Sequence, residues 1–122
     1  MINKLDLAWQ TFEFYTHELS ECELTHTKML QTLNRFVNEN PSPQKYQRDR
    51  VKKKCRESHS QLIHLYKKQI SSITDLITIY QKNPDIHKDL MPDMNSLHVL
   101  KNVIETLIHQ INEYKINIER IL

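Results

Sequence analysis

Two cysteine–histidine pairs have the residue types and the spacing of a metal site. Cys22 and His26 are four residues apart, and Cys55 and His59 repeat this spacing. Residues four apart on a helix lie on one face, so each pair offers one thiolate and one imidazole from the same stripe. Two sulfur and two nitrogen ligands form the closed tetrahedral set that structural zinc prefers. The four residues are therefore predicted as a structural Cys2His2 zinc site.

The two pairs are also placed symmetrically about a proline-containing turn. The numbers 22 and 59 sum to 81, as do 26 and 55, so a helical hairpin folded between Asn40 and Pro41 would bring all four side chains to one level. In this register the two cysteines are offset by about one helical turn, which disfavours a disulfide. A second interpretation stays open, in which the cysteines act as small apolar residues and the histidines bond to neighbouring acceptors in a core.

Apolar residues at alternating steps of three and four predict the helices that position these pairs. We expect an all-α fold, an elongated antiparallel three-helix bundle (up-down-up) with coiled-coil-like seams and helices over about residues 3–38, 44–82 and 93–121. A single domain over residues 1–122 suits this length. The seam of the second helix is predicted as Cys55, His59, Leu62, Tyr66, Gln69, Ile73, Leu76 and Tyr80.

The composition excludes many catalytic motifs, because the chain contains no glycine. P-loops, dinucleotide fingerprints, EF-hand loops and nucleophile elbows all require glycine at fixed positions. The remaining spacings define no catalytic set, and we predict a non-catalytic protein. The first nine residues lack the pattern of a signal peptide, and no apolar run is long enough for a membrane span. A cytoplasmic protein without a membrane partner is the expectation.

The tip of the predicted hairpin is a candidate partner surface. The third helix is the shortest, so the tip, from about Lys28 to Lys54, is expected to contain only two helices. Apolar side chains left without a third helix commonly mark sites of protein binding or self-association. The residues predicted to form this surface are Met29, Leu30, Leu33, Phe36 and Val37.

The start of the second helix is strongly basic. Between residues 45 and 56 there is one acidic residue, Asp49, and the whole chain has a formal charge of only +2. The seven cations of this basic segment are Lys45, Arg48, Arg50, Lys52, Lys53, Lys54 and Arg56. They fit three interpretations: a face that is solvated or paired with glutamates of the first helix, contact with an acidic protein, or contact with nucleic-acid phosphates, with Tyr46 available for stacking.

These features together predict a protein–protein interaction module. A small helical bundle with an apolar tip and a basic flank is typical of adaptors and chaperones, whether or not zinc stabilises it. The alternative is an accessory protein that binds nucleic acid through the basic segment.

Overall fold

The computed structural model describes residues 3–84 and 92–122, which form three helices. Helix α1 spans Lys4–Glu39, α2 spans Lys45–Lys82 and α3 spans Met94–Ile121. The predicted helices are confirmed, with every end within one residue of its expected position. No strand occurs in the described ranges. None of their helices is both long and apolar enough to cross a bilayer.

Short polar side chains start the first and third helices. The Asn3 side chain accepts a hydrogen bond from the Asp6 N–H at 2.8 Å, and Asp93 accepts one from the Ser96 N–H at 2.8 Å. Such caps satisfy N–H groups that have no acceptor within the helix. Between α1 and α2, residues 40–44 include two prolines and form the turn of the hairpin.

Helix α2 is the central element, since α1 and α3 both pack against it. It supplies most of the buried side chains, including Ile73 and Leu76 at 0% exposure. All eight residues of its predicted seam are buried. The buried partners from the two flanking helices are Phe12, Leu19, Leu33, Leu97, Ile104 and Ile118.

Polar contacts show that neighbouring helices are antiparallel. Near one end of the bundle, Tyr80 of α2 donates a hydrogen bond to the carbonyl of Pro92, two residues before the start of α3. Near the other end, Arg56 of α2 binds Glu119 of α3. In the middle of the hairpin, the buried Gln69 amide donates to the Phe12 carbonyl at 3.2 Å. This bond links α1 to α2 inside the core.

The buried apolar residues form two clusters along the bundle. The larger one contains Phe12, Leu62, Ile73 and Leu97 among others, and it occupies the end where the chain passes from α2 to α3. The smaller one, which we call the tip cluster, consists of Leu33, Cys55 and Ile118. Of the candidate ligands, Cys55 belongs to the tip cluster, whereas Cys22 packs against the larger cluster.

Candidate functional site

The register of the α1–α2 hairpin differs from the predicted one. The Met29 and Cys55 sulfur atoms are 3.3 Å apart, and the His26 Nδ1 atom is 3.1 Å from the Ser58 Oγ atom. The numbers of both contacting pairs sum to 84, whereas the sequence predicted 81. Helix α1 is therefore displaced relative to α2 by about three residues, or about 4.5 Å along the axis.

The position of the turn accounts for part of this displacement. The prediction placed the centre of the hairpin between Asn40 and Pro41, within a loop expected over residues 39–43. In the structure, α1 ends at residue 39 and α2 begins at residue 45, so residues 40–44 span the gap and the centre of the hairpin moves to Ser42. As a result, Cys22 lies at the level of Leu62 and packs against the larger cluster.

Two of the four predicted ligands are brought together. The ring centroids of His26 and His59 are 5.0 Å apart, and the Tyr114 ring of α3 meets His59 edge-on at 6.0 Å. His59 is 1% exposed, and neither of its ring nitrogens has a hydrogen-bond partner in the described part of the chain. Burial, followed by the charges of His26 and Lys115, lowers the pKa of His59 to about 4. The imidazole is therefore neutral at pH 7.

Neither cysteine is activated by its surroundings. Burial raises the pKa of the Cys55 thiol, and the nearby Glu119 carboxylate raises it further. Partial burial also raises the pKa of Cys22, with additional effects from Glu23 and Glu18. Both cysteines are free thiols, and a raised pKa keeps them protonated at neutral pH. This environment resembles that of apolar core cysteines more than that of nucleophiles.

The predicted four-ligand group is not assembled in this structure. Over residues 3–84 and 92–122, no three side chains of His, Cys, Asp or Glu lie together in a way that could hold a metal ion. The three-residue displacement separates Cys22 from His59, and Cys55 contacts Met29 in place of His26. The expectation that Cys22, His26, Cys55 and His59 share one level was wrong. Zinc binding itself stays a prediction, which elemental analysis of the purified protein would test.

Helix α3 covers more of the hairpin tip than expected. Leu33 was predicted to lack a third helix, but it is only 5% exposed and packs with Cys55 and Ile118. Leu122 extends this contact past the end of α3. The displaced register brings Leu33 closer to Cys55, and so within reach of α3. Leu33 therefore belongs to the core, and only a small part of its side chain is exposed at the tip.

The other predicted tip residues remain accessible. Met29, Leu30 and Phe36 are half-buried, and Val37 is 41% exposed. Two clefts divide this region. One lies between α1 and α3, where Val37 faces Ile121 and other α3 residues.

The second cleft, which we call the tip groove, lies between α1 and α2 and has a volume of about 330 Å³. Its lining combines apolar residues from both helices with two residues of the basic segment, Arg50 and Lys54. The full lining consists of Met29, Thr32, Leu33, Phe36, Tyr46, Gln47, Arg50, Val51, Lys54 and Cys55. The structure thus brings together two groups of residues that the sequence predicted separately, the apolar tip and the basic segment.

The basic segment is divided between two sides of α2. Arg50 and Lys54 face the tip groove next to α1. Arg56 instead forms two hydrogen bonds to the Glu119 carboxylate of α3, at 2.6 and 2.9 Å. This bond lowers the pKa of Glu119. Internal pairing by glutamates of α1 was one interpretation of the segment, and the partner of Arg56 is found on α3 instead.

Sequence reasoning missed several residues of the site. Val51 and Gln47 line the tip groove, and Tyr114 contacts His59. Val51 is an apolar residue one turn before Cys55, a spacing that could have signalled its position. No sequence signal indicated Glu119, because its distance from Arg56 along the chain carries no information about their contact.

The comparisons with known proteins identify no relative. The chain matches no protein-family model, no curated protein and no solved structure.

Proposed function

We propose that this protein is a non-catalytic protein–protein interaction module whose binding site is the tip groove. The observation that carries the proposal is the lining of that groove, in which apolar side chains from α1 and α2 lie beside cationic side chains of α2. Protein interfaces commonly combine an apolar centre with a polar rim.

The apolar part of the groove has the residue types that protein partners use. Met29 and Phe36 of α1 face Val51 of α2, and Tyr46 at the start of α2 is 65% exposed. Methionine adapts its shape to different partners, and tyrosine gives a large contact area with a polar tip. A large aromatic side chain exposed at the edge of a groove is typical of an interaction site.

The chemistry of the groove supports binding more than catalysis. Among its described lining residues there is no carboxylate and no imidazole that could act as a general acid or base. Its thiol, Cys55, is 2% exposed, and burial raises its pKa. A nucleophilic cysteine requires a lowered pKa and access to substrate.

Nucleic-acid binding, the alternative from sequence, has weaker support. Phosphate tracking needs several cations along one accessible surface. Here the cations are divided among different surfaces of α2. Arg50 and Lys54 line the tip groove, Arg48 and Lys53 are exposed outside it, and Arg56 is paired with Glu119. Tyr46 is the lone aromatic residue among the cations of the basic segment.

The test is site-specific crosslinking in the source cell. A photoreactive phenylalanine analogue at Tyr46 should crosslink a partner protein, because this side chain lies at the exposed edge of the groove. Phe36→Ser should reduce that crosslink by about tenfold or more, since apolar contacts at the centre of an interface dominate affinity. Phe14→Ser is the matched control, because Phe14 lies on the same helix, is 56% exposed and does not line the groove.

Loss of the crosslink in Phe36→Ser but not in Phe14→Ser would support the proposal. Equal loss in both variants, or crosslinks only between copies of this chain, would contradict it. Nuclease treatment of a cell lysate before irradiation distinguishes the alternative, because a partner held only through nucleic acid would then no longer be crosslinked.

A further inference from the structure

The tip groove also specifies the kind of partner. Resting on the proposed function, we infer that the groove binds an acidic segment of a partner protein, with an apolar side chain on its floor and carboxylates on Arg50 and Lys54. The charges of the lining carry this inference. The groove has ten lining residues, and the two that carry charge are both cationic.

The two cations are available and well spaced for this role. Arg50 and Lys54 are four residues apart on α2, so both project from one side of the helix about 6 Å apart along its axis. Both are exposed, and in residues 3–84 and 92–122 neither forms an ion pair, in contrast to Arg56. Carboxylates one turn apart on a partner helix would match this spacing.

The end of α2 strengthens the positive potential of the groove. Residues 45–48 form the first turn of the helix and include no acidic residue, so the partial positive charge of the helix N-terminus is not offset there. The cations of this first turn, Lys45 and Arg48, add to the positive charge there and are themselves repelled by the helix dipole. A carboxylate from a partner would relieve that repulsion, which favours an acidic segment over a neutral one.

The floor of the groove selects a protein segment rather than a simple polyanion. Met29, Phe36 and Val51 offer no hydrogen-bond donors for phosphate, but they can bury an aliphatic or aromatic side chain. A volume of about 330 Å³ is at the lower end of the range for ligand sites and suits one or two anchoring side chains. The matching ligand is therefore an amphipathic stretch with apolar anchors and flanking Asp or Glu.

Selection from a displayed random peptide library on the immobilised protein tests this inference. We expect the enriched peptides to combine one or two large apolar residues with nearby Asp or Glu. For an enriched peptide, exchange of its acidic residues for glutamine should weaken binding by about tenfold or more, the effect of losing two charge-assisted contacts.

Two charge-reversal variants locate the interaction. The double variant Arg50→Glu with Lys54→Glu should lower affinity for the enriched peptide by about 100-fold. The matched control, Arg48→Glu with Lys53→Glu, changes the net charge equally at exposed positions outside the groove. Its affinity for the enriched peptide should stay within about threefold of the affinity of the unmodified protein. A peptide with lysine in place of its acidic residues should regain binding to the first variant, which would show that this variant is folded.

The possible results separate the two proposals. Enrichment of apolar peptides without acidic residues would overturn this inference and leave the interaction module in place. Failure to enrich any peptide, or equal loss of affinity in both double variants, would also overturn this inference. The proposed function is tested separately, by crosslinking at Tyr46. Oligonucleotide binding that both double variants lose would overturn both proposals.

Discussion

His59 shows how a single buried residue can set the pH dependence of the whole fold. Its imidazole lies between His26 and Tyr114 without a hydrogen-bond partner in the described part of the chain. Burying a polar group in this way costs free energy, and protonating it there would cost more. The histidine–histidine contact predicted as half of a zinc site is thus a pair of neutral imidazoles at pH 7, of which His59 is buried and His26 is half-buried.

This environment predicts a loss of stability in mild acid. The pKa of His59 falls from 6.5 in the unfolded chain to about 4 in the fold, so the unfolded chain binds more protons between these values. The contribution of a neutral His59 to the free energy of unfolding is therefore retained above about pH 6.5 and is lost as the pH falls towards 4. Over most of this range the loss is roughly 1 kcal/mol per pH unit. Burial also lowers the pKa of His26, which acts in the same direction.

Denaturant titrations between about pH 7 and pH 4.5 measure this effect. His59→Leu should flatten the decrease and leave stability at pH 7 equal or higher, because an apolar residue of similar size needs no hydrogen bond. His64→Leu, which removes an exposed imidazole of the same helix, is the control. An unchanged slope in His59→Leu would show that another group causes the acid sensitivity.

At the scale of the helices, the register of α1 against α2 decides which side chains meet. The turn over residues 40–44 sets this register, and the contact between Met29 and Cys55 reports it. Gln69 helps to hold it, because its amide also donates to the Thr16 hydroxyl at 2.9 Å. A buried polar contact of this type has no substitute if the helices slip by one turn.

Engineered cysteines test the register directly. In a Cys22→Ser background, Met29→Cys should form a disulfide with Cys55 under mild oxidation, because the contact between the Met29 and Cys55 side chains places these two positions at one level of the hairpin. His26→Cys, which the symmetric register would place opposite Cys55, should react roughly tenfold more slowly. Peptide mapping of the oxidised proteins gives both rates. Faster crosslinking of His26→Cys would show that the symmetric hairpin is correct.

At the scale of the whole molecule, the end of α3 ties the hairpin tip to the rest of the bundle. Ile118 is 4% exposed and contacts Leu33 and Cys55, one from each of the other two helices. The tip cluster is small and lies apart from the larger core. Its stability therefore depends on few contacts, and the position of the tip groove depends on them as well.

A pair of isoleucines on α3 tests this dependence. Ile118→Ala should lower the free energy of unfolding by about 2–4 kcal/mol, the usual cost of removing a buried isoleucine side chain. Ile116→Ala, at a position that is 54% exposed, should change it by no more than about 0.5 kcal/mol. Hydrogen exchange should show faster opening of residues 29–36 and 47–55 in Ile118→Ala. Equal effects of the two substitutions would contradict the role of Ile118 in the tip cluster.

The sequence by itself determined the three helices, their ends and the buried face of α2. These properties depend on two kinds of local signal: the positions of proline and capping residues, and the heptad spacing of apolar residues. Both act within a few turns of each helix. The tertiary structure decided the register of the hairpin, the burial of Leu33 and the meeting of Arg50 and Lys54 with Phe36 in one groove. A heptad pattern allows helices to slip by whole turns, so only the position of the turn and the packing of all three helices together select one arrangement.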